Sequence, residues 1–293
     1  VCVQSIPQPA PGDAPPAPRR RFDSPVTDWQ PWLGPFALVL ALVLAVFAGL
    51  IVEVPLAALG VHVTAGKPPG GVLIADTALQ DAIFVATAVI LAGWGTRKVY
   101  SWQFGLRVTP LWRAAGLVVL AFIAFFIFTA IWSELIQSEA RDKVLEKLGS
   151  KEGAALLLTS AALTCVIAPI CEEMLFRGFI FTALRNWKGP WPAAVLTALI
   201  FGAVHATSAP AVDLLPLAGL GFALCLLYRA TGSLYPCIAL HALNNSIAFG
   251  SIEGWGWQIL VLLPVSLGCI ALIVLAARRV GLIGGGGPAA QTA

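Results

Sequence analysis

Residues 154–184, AALLLTSAALTCVIAPICEEMLFRGFIFTAL, decide how this chain is read. At 1.5 Å per residue this run is a helix of about 46 Å, longer than the roughly 20 residues that cross a bilayer. It predicts an overlong span that tilts, kinks or emerges into the interface, with Pro169 as the candidate kink because it lacks the backbone donor. Inside the run stand Glu172, Glu173 and Arg177. An ionisable group at membrane depth costs about 2.5 kcal/mol or more by insertion scales, so each of the three asks for a reason. Glu173 and Arg177 are one helical turn apart and can pair. Glu172 is turned about 100° from Glu173, so its partner must come from another helix. A carboxylate without a partner in its own helix suits a general base or acid.

Working outward, the rest of the chain has the same character. Of 293 residues, 58% are hydrophobic and 11% charged, and mean hydropathy is +0.86; soluble domains carry roughly 25% charged residues. The prediction is an all-α, polytopic transmembrane helical bundle of about eight spans: 34–52, 72–93, 112–132, 154–184, 192–208, 210–230, 234–250 and 257–277, with a polar intramembrane cavity. Residues 1–33 read as a disordered Pro-rich arm, with seven prolines from Pro7 to Pro25 and nothing periodic to pack. Residues 34–280 form the membrane domain, and 281–293 a flexible Gly-rich tail. Net charge is +3, without a basic patch interleaved with aromatics, so nucleic acid is not an expected partner.

Lys and Arg placement sets the expected orientation. With the N-terminus cytoplasmic, the inside segments hold eleven basic residues: Arg19, Arg20, Arg21, Arg97, Lys98, Arg107, Arg185, Lys188, Arg229, Arg278 and Arg279. The outside segments hold five, Lys67, Arg141, Lys143, Lys147 and Lys151. Four of those share the loop 133–153, whose apolar residues among charges suggest an interfacial amphipathic helix. The expected localisation is integral, multi-pass, with both termini cytoplasmic.

Further polar residues lie in apolar runs: Asp76 and Asp81, His205 in Phe201-Gly-Ala-Val-His205, and His241-Ala-Leu-Asn-Asn245. The i,i+4 spacing puts His241 and Asn245 on one face, where both can donate to a single oxygen. A lone buried histidine is more often a helix–helix hydrogen bonder, but here three spans place polar groups at similar depth. From the cytoplasmic ends Glu172 lies about 18 Å deep, His205 about 20 Å and His241 about 10 Å. Asp76 and Asp81 are read as inter-helix hydrogen bonders or cavity lining. The six cysteines include no C-x-x-C pair and are read as small buried hydrophobes, with acidic neighbours disfavouring a thiolate at Cys171.

The ordered set E-E-x-x-x-R, F-x-x-x-H and H-x-x-x-N, on helices within 154–250, resembles the CPBP family of type II CAAX prenyl proteases, bacteriocin-processing and abortive-infection proteins. The resemblance implies an intramembrane endopeptidase acting on membrane-bound or lipidated, CAAX-like protein substrates, with membrane lipid as its surroundings. By position it implies Glu172 as general base, with His205 positioning the attacking water. His241 and Asn245 would stabilise the oxyanion, and Glu173 with Arg177 would organise the site. Although the family was long described as metalloproteases, H-E-x-x-H is missing, so no cofactor is favoured; a zinc ion, if bound, would be expected on Glu173, His205 and His241. Two other readings compete. One is a non-catalytic bacteriocin-immunity or membrane-scaffold member of the family. The other is a proton-coupled transporter, for which no internal repeat or paired broken helices are visible.

Overall fold

The computed structural model describes residue 25 and residues 27–60, 70–95, 98–136 and 153–284. Among these, all regular structure is helical. The helices are α1 (Leu33–Ala58), α2 (Gly70–Ala92), α3 (Leu111–Ile136), α4 (Ala154–Lys188), α5 (Pro190–Val204), α6 (Leu214–Thr231), α7 (Leu234–Ile252) and α8 (Gln258–Arg279). Among the described residues seven segments are long and apolar enough to cross a membrane, and α7 is not among them. Its 19 residues reach about 28 Å, but His241, Asn244 and Asn245 lower its apolar character. The predicted eight spans are therefore present as eight helices, with one masked from a hydropathy criterion by the very residues that make it interesting.

Burial sorts the helices into an inner and an outer set. Large apolar side chains of α1, α3 and α8 face outward, among them Val46, Phe47, Leu120, Ile123, Leu260 and Leu272. Outward apolar faces are stable only against acyl chains. By contrast α4 buries Leu175, Phe176, Phe179, Ile180 and Phe181 completely. It touches α1, α2, α5, α6, α7 and α8, so the helix with the most ionisable groups is the central one. Burying it among helices rather than in lipid is the arrangement that lets those groups find partners.

α4 is not a regular helix. Two stretches widen to π geometry, Leu163–Ile167 and Met174–Phe181, on either side of the short α-helical Ala168–Glu173. Such widened turns occur mostly as local bulges within α-helices, frequently at functional sites. The second is closed from within, since Thr182 Oγ1 donates to the carbonyl of Arg177 at 3.0 Å.

At one end of the bundle the connections lock together. Gly105, at φ 77°, accepts from Leu234 N at 2.9 Å; Arg107 Nε donates to Gly232 O at 2.6 Å, and Ser233 Oγ donates to Arg107 O at 2.6 Å. A side chain at Gly105 would be strained at that φ and would collide with the Tyr228 ring, 2.5 Å from a Cβ. The expected disordered arm needs correction at its C-terminal end. Trp29 is buried against Phe104 and Phe179, with ring centroids 5.3 and 4.9 Å away. Asn186 Nδ2 donates to the carbonyls of Thr27 and Trp29, and Arg185 to that of Pro25. Pro25 and residues 27–33 are held because an indole offers enough apolar area to anchor a proline-bounded segment. The rest of the arm, the 137–152 part of the proposed amphipathic loop and the tail from 285 lie outside the described residues.

Candidate active site

Glu173 is the fixed point of the site. It is fully buried in α4, and its Oε1 receives Arg177 Nη1 at 2.6 Å, the one-turn pair expected from the sequence. The same oxygen faces His241 Nδ1 of α7 at 2.9 Å. A carboxylate engaged by a guanidinium accepts, so Nδ1 carries the hydrogen and donates. Arg177 is spread over three helices: Nη2 donates to Gly221 O of α6 at 3.1 Å, and its guanidinium lies 4.4 Å from the centre of the Phe201 ring of α5. Hydrogen bonds, an ion pair and an aromatic face together hold this buried cation, with only Nε lacking a hydrogen-bond partner.

Glu172 turns another way. Its side chain is 15% exposed, and its Oε2 lies 3.8 Å from His241 Nε2 with no hydrogen-bond partner. The residue of another helix that faces Glu172 is His241, beyond hydrogen-bond distance. With Nδ1 donating to Glu173, a neutral His241 ring presents the Nε2 lone pair towards Glu172. Two facing acceptors at this separation need a proton or a bridging donor between them.

Phe201 joins the histidines to this network, with ring centroids 4.9 Å from His205 and 5.7 Å from His241. It was visible in sequence only as the first letter of F-x-x-x-H; no separate signal marked it as the residue touching Arg177 and both rings. His205, half-buried at the C-terminal end of α5, donates from Nδ1 to Phe201 O at 2.7 Å, because a carbonyl can only accept. That fixes the neutral tautomer and leaves Nε2 as an acceptor.

Asn245 departs from expectation. Although it shares a face with His241, the two do not converge as free donors. Asn245 Nδ2 donates to Thr164 O of α4 at 3.0 Å, and Asn244 Nδ2 donates to Asn245 Oδ1 at 3.3 Å. His241, for its part, is held between Glu173 and Glu172. Helical spacing reported a shared face but not which atoms of α4 that face would meet.

The expected zinc ligands Glu173, His205 and His241 do not gather into one group. Among the described residues no three His, Cys, Asp or Glu side chains gather as a metal site. Glu173 Oε1 is already occupied by a cation and an N–H donor.

Asp81 of α2 is the expected inter-helix hydrogen bonder or cavity lining. It is 1% exposed, neither oxygen has a partner, and Glu172 is its electrostatic neighbour. It thus borders the site without an observed hydrogen bond. Asp76 lies beside Glu53 of α1. Cys165, Cys225 and Cys237 are buried free thiols, as expected, whereas Cys171 is only part-buried and Cys269 is exposed.

Fold and site together define a polytopic membrane protein with a paired-glutamate, histidine-bearing centre inside its helices. Comparison with known proteins agrees. Residues 154–247 match the family described as Type II CAAX prenyl endopeptidase Rce1-like. The protein named "Putative membrane peptidase YdiL" of Bacillus subtilis (strain 168) is 28% identical over 147 residues, 49% of this chain and 56% of that one. The chain thus matches little more than half the length of this curated relative. No solved structure matches the chain. The motifs and both comparisons support membership of the CPBP family.

Proposed function

We propose that this protein is an intramembrane endopeptidase that hydrolyses peptide bonds of membrane-associated or lipidated, CAAX-like substrates with a water activated by Glu172. The observation carrying this reading is the Glu172–His241 geometry: a carboxylate oxygen without a partner, 3.8 Å from a ring nitrogen whose tautomer a second glutamate fixes. A free carboxylate acceptor beside a fixed imidazole is what proton abstraction from water requires.

In this mechanism Glu172 takes a proton from water as the water oxygen bonds to the scissile carbonyl carbon. His205, with Nδ1 committed to Phe201 O, offers Nε2 as a second acceptor that orients the water. The oxyanion is stabilised by the second N–H of Asn245, the first being given to Thr164 O. Collapse breaks the C–N bond, and the proton on Glu172 passes to the departing amine. Glu173 and Arg177 keep the His241 ring in place.

The test is cleavage by the purified full chain in lipid vesicles, using a prenylated C-terminal peptide, its unprenylated counterpart and a transmembrane peptide. Wild type is expected to cleave at least one of them, and Glu172→Gln, His205→Ala and Arg177→Ala to lose turnover. Equal turnover by wild type and Glu172→Gln would refute the mechanism. Binding without cleavage in every case would favour the non-catalytic reading.

A further inference from the structure

The first wide turn of α4 leaves a gap that its own helix cannot close. In Leu163–Ile167 the bonding pattern has shifted, so that Ala168 N–H reaches Leu163 O, five residues back. By that pattern Thr164 O should receive the N–H of residue 169. Residue 169 is proline and has none. A carbonyl in this position, inside a membrane bundle, costs free energy comparable to a lost hydrogen bond if left bare. The donor comes from α7: Asn245 Nδ2, at 3.0 Å. Asn244 Nδ2 donates to Asn245 Oδ1, which fixes the end of the amide that faces Thr164.

We propose that Asn245, besides the donor it offers the oxyanion, positions Glu172 by acting through the backbone of α4. By filling the donor place that Pro169 leaves empty, it stabilises the widened turn. Glu172 is three residues beyond that proline. If the turn relaxed to ordinary α geometry, everything after it would rotate by about 100° per residue removed from the bulge. Glu172 would then leave the Nε2 side of His241, while the Glu173–Arg177 pair, internal to α4, could persist. Asn245 and Pro169 are thus two halves of one device, and the backbone N–H that proline lacks is replaced by a side chain from the histidine helix itself. Its consequence for turnover rests on the hydrolytic reading above; its consequence for the backbone does not.

The experiment uses the full chain in vesicles and compares wild type, Asn245→Ala, Pro169→Ala and the double variant. Amide hydrogen exchange is followed across residues 163–173, and kcat and KM on whichever peptide wild type cleaves. Asn245→Ala is expected to speed exchange across that stretch and to lower kcat by about tenfold to a hundredfold, as a displaced catalytic group does, with KM little changed. Pro169→Ala supplies the missing N–H, so the double variant should recover exchange protection and at least part of kcat. Exchange unchanged in Asn245→Ala, or no recovery of protection in the double variant, would overturn the proposal. Asn245→Ala that fails to fold is still decided by the double variant: folding and protection regained support it, continued failure overturns it. If wild type cleaves nothing, the hydrolytic reading fails while the exchange comparison still judges Asn245.

Discussion

Arg177 and Glu172 make opposite demands on the protein although five residues separate them. Arg177 is 0% exposed and engages Glu173, Gly221 and the Phe201 ring. Removing it leaves the Glu173 carboxylate buried with only His241 as a partner. Breaking a buried pair in this way costs about 3–5 kcal/mol. Arg177→Ala should therefore lower thermal stability as well as turnover, measurable by melting in detergent. Arg177→Lys should recover little, because an ammonium cannot reach two acceptors in a planar fork and stack on Phe201. Glu172 has no such structural duty, with one oxygen unpartnered and a side chain 15% exposed. Glu172→Gln is expected to melt with wild type while losing activity. If both variants lost stability equally, the division of labour between the two adjacent glutamates would be wrong.

Among the elements, the crossing of α5 and α6 supports the site, because α5 carries Phe201 and His205 and α6 offers the Gly221 carbonyl to Arg177. The approach is close at Gly202, where a Cβ would lie 2.6 Å from Leu214 O and 3.0 Å from Ala218 Cβ. Backbone cannot yield as a flexible side chain can, so Gly202→Ala must separate the two helices. Overpacking of this kind costs typically 1–3 kcal/mol. We expect Gly202→Ala to lower the melting temperature and to loosen the hold of Gly221 O on Arg177. An unchanged melting temperature would show that the helices do not meet here. α2 gives a prediction of the other sign. Asp81 has two buried oxygens without partners, and replacing an unsatisfied polar group by an apolar one of similar size is near neutral or stabilising. Asp81→Leu should melt at or above wild type; a marked loss of stability would mean that its carboxyl has a partner in the membrane-embedded protein.

At the scale of the whole molecule, the alternation of helices can be checked against contacts at their ends. The strap at Pro25–Trp29, the 100–107 connection, the end of α4, the α6–α7 turn and the end of α8 all meet on one side. The contacts are Arg185 with Pro25, Leu234 with Gly105, and Gly284 N donating to Ser101 Oγ at 3.2 Å. An even set of eight crossings produces that, with α7 counted as a span. The same end bears Lys98, Arg107, Arg185, Lys188, Arg229, Arg278 and Arg279, so we propose that it faces the cytoplasm. In a cysteine-free background, Trp257→Cys at the opposite end should react with a membrane-impermeant maleimide on intact cells. Trp187→Cys should react only after permeabilisation. The reverse pattern would invert the topology.

These scales were not equally legible in the amino-acid order. Composition and run length determined the class of fold, because bilayer thickness imposes a length on any apolar helix that crosses it. Spacing determined the Glu173–Arg177 pair, because i and i+4 lie on one helical face whatever surrounds them. What lies across a helix boundary was decided by packing alone. No spacing rule shows that Phe201 would lie against both histidine rings and Arg177, that Trp29 would anchor a proline-rich strap, or that Asn245 would meet Thr164 rather than stand free beside His241. Each depends on which residues of two distant segments come within a few ångströms. That is set by the widened turns of α4 and the close crossing at Gly202, features of tertiary structure that a one-dimensional periodicity does not record.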